Sequence, residues 1–155
     1  MAAVENATVV RRYLEEFFGA GNAAVAEAIV APDAVFREPT QVLEGRAALI
    51  ERLAAFHRAF PGLRCVVDDF VASGDRVAAR WTMTGTHAGP FGAFPPTGQP
   101  VTMRGIGIYR LAERRIVEVW GCHDTLGAAQ QLGATVTPPG QGAASPDPQR
   151  KDGAG

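Results

Sequence analysis

Residues 85–124 read GTHAGPFGAFPPTGQPVTMRGIGIYRLAERRIVEVWGCHD. Two strand-like runs, residues 101–111 and 116–120, flank a short polar turn at residues 113–115. A loop rich in Gly, Pro and Phe precedes them. The second run leaves the sheet as Gly121-Cys122-His123-Asp124, the densest cluster of groups able to do chemistry in the chain.

Side chains alternate across a strand, so a hairpin register assigns faces. A three-residue turn sets Arg110 opposite Glu118, Ile108 opposite Trp120 and Gly107 opposite Gly121. Continuing it sets Gly105 opposite His123 and Arg104 opposite Asp124. One face then carries Val101, Met103, Gly105, Gly107, Tyr109, Val119, Gly121 and His123. The other carries Thr102, Arg104, Ile106, Ile108, Arg110, Glu118 and Trp120. Glycine inside a strand is unfavourable unless a bend, a bulge or a ligand needs the space. Gly105, Gly107 and Gly121 therefore point to a hollow on the first face, or to sheet bending. The charged pairs on the second face are structural, and its Ile106, Ile108 and Trp120 form a possible dimer surface.

Upstream, residues 63–72 and 76–87 form an earlier hairpin, with Asp68 opposite Arg80. Before it the period is helical. Residues 7–18 place Val9, Val10, Tyr13, Leu14, Phe17 and Phe18 on one face, with Asn6 as N-cap. Residues 23–30 read as a second helix. Residues 34–38 read as a short strand in which Glu38 points the same way as Phe36. Burial statistics favour an exposed edge glutamate there. A third helix, residues 46–60, has Leu49, Ile50, Leu53, Phe56 and Phe60 inside and Glu51, Arg52 and Arg58 outside. His57 falls at the edge of that stripe. A last short helix covers residues 126–132. Helices first and an antiparallel meander second make an α+β fold, with N-terminal helices on one face of a curved antiparallel sheet.

The chain of 155 residues suits one domain, over residues 1–133. Residues 134–155 are rich in Pro, Gly, Gln and Ser, with no apolar pattern, and are expected to be a disordered tail. A net charge of -1 and no basic face exclude a nucleic-acid binder. The first six residues lack the basic and apolar regions of a signal peptide, no apolar run approaches membrane-spanning length, and Cys65 and Cys122 read as reduced thiols. A cytoplasmic protein with no membrane partner is expected.

The runs VASGDRVAAR (71–80), WTMTGTH (81–87) and FPPTG (94–98), Arg110 with Ile116, and QQLG (130–133) together resemble the SnoaL-like polyketide cyclases. The resemblance implies the cone fold shared with ketosteroid isomerase and nuclear transport factor two. It implies a deep apolar cavity and homo-oligomers formed through the sheet. It also implies ring closure by intramolecular aldol condensation, with an aspartate as general base, an assisting histidine, and neither metal nor cofactor. In this sequence the aspartate position falls on Gly121 and the histidine position on Gly107.

The remaining acid–base candidates are His123 and Asp124, with Arg104 tuning Asp124. Trp81, Met83, Met103 and Tyr109 would wall the cavity, with His87 at the mouth of the loop and Tyr13 and Phe17 contributed by the first helix. One reading is a cofactor-independent cyclase, isomerase or hydroxylase-type enzyme acting on a polyketide-like carbonyl compound. The other is a non-catalytic module that binds an apolar ligand or dimerises to support a partner enzyme. The expected partners are a small apolar or aromatic molecule and a second copy in a homodimer.

Overall fold

The computed structural model describes residues 2–140. Helix α1 (Ala2–Arg12) runs on into a π-helical segment (Tyr13–Gly19). A 3-10 turn (Ala23–Val25) and a single turn of helix, α2 (Ala26–Ile29), lead into β1 (Val30–Glu38). Then come β2 (Gln41–Glu44), α3 (Arg46–Ala59), β3 (Arg64–Ser73), β4 (Arg76–Thr86), β5 (Pro100–Ala112), β6 (Arg115–His123) and α4 (Thr125–Gln131). The fold is the α+β arrangement the sequence implies, with a curved, unclosed six-stranded sheet in the order β2-β1-β6-β5-β4-β3. All pairings are antiparallel except β1 with β6.

The β5–β6 register is the expected one from Gly105↔His123 to Arg110↔Glu118. Its turn is not. Only Glu113 and Arg114 turn the chain, both in the left-handed region at φ 48° and 62°. Ala112 pairs with Arg115 and Leu111 with Ile116. The register then shifts, leaving Val117 unpaired as a bulge. A two-residue turn plus one bulged residue gives the same offset as a three-residue turn. The β3–β4 hairpin repeats the device. Ser73 pairs with Arg76, and Asp68 is the extra residue between the pairs Val67↔Trp81 and Asp69↔Arg80. Asp68 is thus not strictly opposite Arg80, although its Oδ2 still lies 3.3 Å from Arg80 Nη1 and accepts the Thr82 hydroxyl at 2.7 Å.

Other boundaries differ from the sequence reading. Helix α1 starts at Ala2, and Asn6 is no cap: its Nδ2 donates to Gly74 O at 3.1 Å, tying the helix to the β3–β4 turn. The second helix is one turn only, because β1 begins at Val30 and passes through Pro32. Proline is tolerated there because β1 is out of register with β6 between Val30 and Val35. Strand β2 was not expected, since its four residues carry no burial alternation. Strand β6 continues to His123 because Gly121 and Cys122 stay paired with Gly107 and Ile106. Residues 134–140 hold no helix or strand, and the rest of the expected tail lies outside the described residues. Among the described residues no helix is long and apolar enough to cross a membrane.

One sheet face is core. Val77, Ala79, Trp81, Met83, Met103, Tyr109 and Val119 cluster with Val10, Tyr13, Leu14 and Phe17 of the first helical segments and Leu49 and Leu53 of α3. The opposite face is open: Ile106, Ile108 and Trp120 are 53%, 44% and 39% exposed. Helix α3 is tied at its C-terminal end. Ala59 O accepts from Ala88 N and Gly89 N, and His57 Nε2 donates to Phe18 O at 2.8 Å. His57 is therefore a clamp between α3 and the π-helical segment.

Candidate functional site

An inner chamber of about 60 Å³ lies between the sheet and the helices. The π-helical segment contributes Tyr13, Leu14 and Phe18, and α3 contributes Arg52 and Phe56. Strands β4 and β5 contribute Trp81, Met83, Met103 and Tyr109; β6 contributes Val119, Gly121 and His123; and Glu38 closes one side from the end of β1. A wider vestibule of about 410 Å³ lies beyond, walled by Leu43, Pro90, Phe91 and Gly92 among others. Glu38, Arg52, Phe56 and His123 line both spaces, so they form the neck where the two meet.

Several expected residues converge here. Trp81, Met83, Met103, Tyr109, Tyr13 and His123 all line the chamber. Phe17 does not. It is fully buried and stacks on Tyr13 at 5.5 Å, while Phe18 takes the lining position. The segment is π-helical, so its i→i+5 turn sets directions an α-helical period does not give: Phe17 packs on Tyr13 and Phe18 faces the chamber.

Three expected residues do not belong to the chamber. Asp124 is the N-cap of α4: its Oδ1 accepts from Gly127 N at 2.8 Å, and a Cβ at Gly127 would collide with the carboxylate. Arg104 is exposed on the outer face and meets Asp124 only through the backbone, Asp124 N donating to Arg104 O at 3.0 Å. His87 is fully buried outside the chamber. Its Nδ1 accepts the Thr97 N–H at 3.3 Å and lies 3.0 Å from Thr97 Oγ1. Its backbone also pairs with Gln99 and Gly98. His87 thus closes the base of the loop that carries Phe91 into the vestibule wall, and its ring packs 5.4 Å from that of Phe60.

The sequence reading missed Glu38 and Arg52. Both side chains are mostly withdrawn from solvent, 15% and 18% exposed, and Glu38 Oε1 lies 2.5 Å from Arg52 Nη1. Glu38 Oε2 accepts from Gln41 Nε2 at 3.0 Å. Glu38 is therefore not the solvated edge residue expected, and Arg52 is not on an outer helix face. The available signal was Glu38's shared direction with Phe36, which is buried.

The electrostatics of the chamber separate its polar groups. Burial pushes the His123 imidazole below its ordinary range; Glu38 opposes that shift and Arg52 adds to it. Burial pushes the Tyr13 and Tyr109 phenols well above theirs. At neutral pH the chamber therefore holds a neutral imidazole and two protonated phenols. The His123 ring lies 6.2 Å from that of Trp81. Among the described residues no group of three or more His, Cys, Asp and Glu is arranged to hold a metal ion.

The SnoaL-like polyketide cyclase family model matches residues 8–132. The chain belongs to the SnoaL-like polyketide cyclase family. A candidate SnoaL-like polyketide cyclase from Jannaschia sp. CCS1 is 28% identical, over 86% of this chain and 95% of that one, with a TM-score of 0.79. IdmH, a candidate polyketide cyclase from Streptomyces antibioticus, is 30% identical over 84% of this chain and 99% of its own, with a TM-score of 0.72. AclR, a candidate hydroxylase from Streptomyces galilaeus, shares the fold at 24% identity and a TM-score of 0.75, covering 88% of this chain and 87% of that one. No curated protein matches the sequence significantly.

Within this SnoaL-like chain the three inner-face glycines are not equivalent. A Cβ on Gly105 would strike the Trp81 indole, and one on Gly107 would sit 3.0 Å from the Tyr109 ring and hydroxyl. A Cβ on Gly121 would meet nothing within 4 Å. The hollow inferred from all three glycines is thus a hollow at Gly121. At the other two positions the missing side chain makes room for an aromatic ring.

Proposed function

We propose that this SnoaL-like chain is an enzyme of general acid–base chemistry, needing no cofactor, that acts on an apolar polyketide-type carbonyl compound. The observation that carries the proposal is His123. It lies at the neck of an aromatic chamber, is held neutral by burial, and shares that chamber with Tyr13 and Tyr109. A neutral imidazole accepts a proton. Because its proton affinity is lowered, it suits an acidified carbon, such as a CH₂ between two carbonyls. The carbanion's charge moves to a carbonyl oxygen, where a phenol that stays protonated stabilises it by hydrogen bonding. Return of the proton to another carbon gives an isomer. Attack of the carbanion on a second carbonyl, with His123 returning its proton to the new alkoxide, gives a closed ring.

The test is turnover of aromatic polyketide methyl esters carrying a 1,3-dicarbonyl unit. His123→Gln should lower kcat by about 10²–10⁴, the usual worth of a general base, while ligand affinity stays close to wild type. Wild-type turnover retained by the variant would sink the assignment.

A second reading keeps the chamber as a binding site without chemistry. It is favoured by glycine at positions 107 and 121, where the resemblance places the acid–base pair. Binding without turnover across the same esters would establish it.

The proposal also includes a homodimer through the outer sheet face. Exposed Ile106, Ile108 and Trp120 are accompanied there by the ion pairs Arg110–Glu118 and Arg80–Asp68, so the face offers both charges beside an apolar centre to a second copy.

A further inference from the structure

We propose that Arg52 anchors an anionic oxygen of the substrate at the neck between chamber and vestibule. The substrate is then an amphipathic carbonyl compound bearing a carboxylate or enolate oxygen beside its buried apolar end. The proposal deepens the acid–base reading above and rests on it for the identity of the ligand.

The ion pair is lopsided. Glu38 is held from two sides, Oε1 by Arg52 and Oε2 by Gln41. Arg52 approaches Glu38 most closely through Nη1, and among the described residues its guanidinium makes no ion pair or hydrogen bond with any other residue. Guanidinium offers five N–H donors in a planar fork and typically holds a carboxylate through two of them. Here each carboxylate oxygen has a partner, while the guanidinium has Glu38 alone among the described residues. Donors are left over at a position withdrawn from bulk water, where they are stronger than at the surface.

The division of space agrees with this. The chamber is small and apolar, so it takes one end of a ligand. The larger vestibule, with Leu43, Phe56 and Phe91, takes the rest. A ligand spanning both passes Arg52. Binding there also acts on the base. Arg52 lowers the proton affinity of His123, and an anion seated on the guanidinium offsets that charge. The correct substrate would thus make His123 a stronger base on arrival.

The test uses matched pairs of probes and needs no turnover. Calorimetric Kd values are measured for 2-naphthoate against its methyl ester, and for dimedone, an enolate at neutral pH, against 3,3-dimethylcyclohexanone. The wild-type chain should prefer at least one anion over its neutral partner by about tenfold, as a charge-assisted hydrogen bond provides. A preference for naphthoate alone assigns Arg52 to a carboxylate tail, and for dimedone alone to the reacting oxygen. Arg52→Met should remove the preference by weakening the anion only. Glu38→Gln, which removes the competing charge, should strengthen it. No preference in the wild type, no binding of either anion, or a preference that survives Arg52→Met would each overturn the proposal. If Arg52→Met does not fold, the wild-type chain still decides: saturating 2-naphthoate or dimedone should raise the NMR-detected pKa of His123, and their neutral partners should not. No rise with either anion overturns the proposal. Anion selectivity without any turnover would retain the anchor and sink the catalytic reading. Turnover without selectivity would do the reverse.

Discussion

Gly107 and Gly121 face each other across the β5–β6 ladder, yet only Gly121 looks onto open space. The Tyr109 ring fills the room beside Gly107. The two positions the resemblance assigns to an acid–base pair therefore differ in what they accept. Gly121→Asp should fold and place a carboxylate in the chamber. Gly107→His must displace Tyr109 and should cost about 1–3 kcal/mol, as overpacking does. Denaturant unfolding of the two single variants checks the difference. Equal stability would show that Tyr109 yields freely.

Asp124 is predicted to matter for stability and not for chemistry. Its Oδ1 satisfies the Gly127 N–H at the start of α4. Asp124→Ala should lower stability by about 1 kcal/mol, the usual worth of an N-cap, and Asp124→Asn by much less. Both should leave kcat unchanged in the folded fraction. A large loss of kcat in Asp124→Asn would return the residue to the site.

Much of the sheet was legible because strand side chains alternate. The β5–β6 faces follow from the sequence even though the turn was misread, since the Val117 bulge restores the offset. The chamber's aromatic and thioether wall follows from those faces. Glu38 and Arg52 do not follow. Charged residues on a helix or a strand end are normally solvated, and nothing local says that this strand end meets this helix face. The exchange of Phe17 for Phe18 was hidden for a different reason. It depends on a π-helical turn, which an α-helical period misses.

His123 should leave a signature in the pH dependence of stability. Its folded proton affinity lies below the unfolded one, so the unfolded chain binds the extra proton. Stability from this group is thus fully present above the ordinary imidazole range, about 6.5, and falls as pH drops through that value toward the lower folded one. His123→Gln should lose less stability than wild type between about pH 7 and pH 5. Parallel thermal unfolding curves across that range would show that His123 is not held neutral.

The outer face predicts the assembly. Trp120→Glu places a charge beside Ile106 and Ile108 and should halve the mass seen by light scattering after size exclusion. An unchanged mass would exclude this face as the interface, and a monomeric wild type would exclude the dimer.

The central claim is that neutral His123 takes a proton from an activated carbon in the chamber. Deuterium exchange at the CH₂ of an aromatic 1,3-ketoester, followed by NMR in D₂O against pH, tests it most directly. Above the solvent background, the wild-type chain should accelerate exchange along a limb that rises with pH and levels off below the ordinary imidazole value of about 6.5. His123→Gln should lose that limb while still binding the ester. Exchange of equal rate and pH profile in the two proteins would contradict the account.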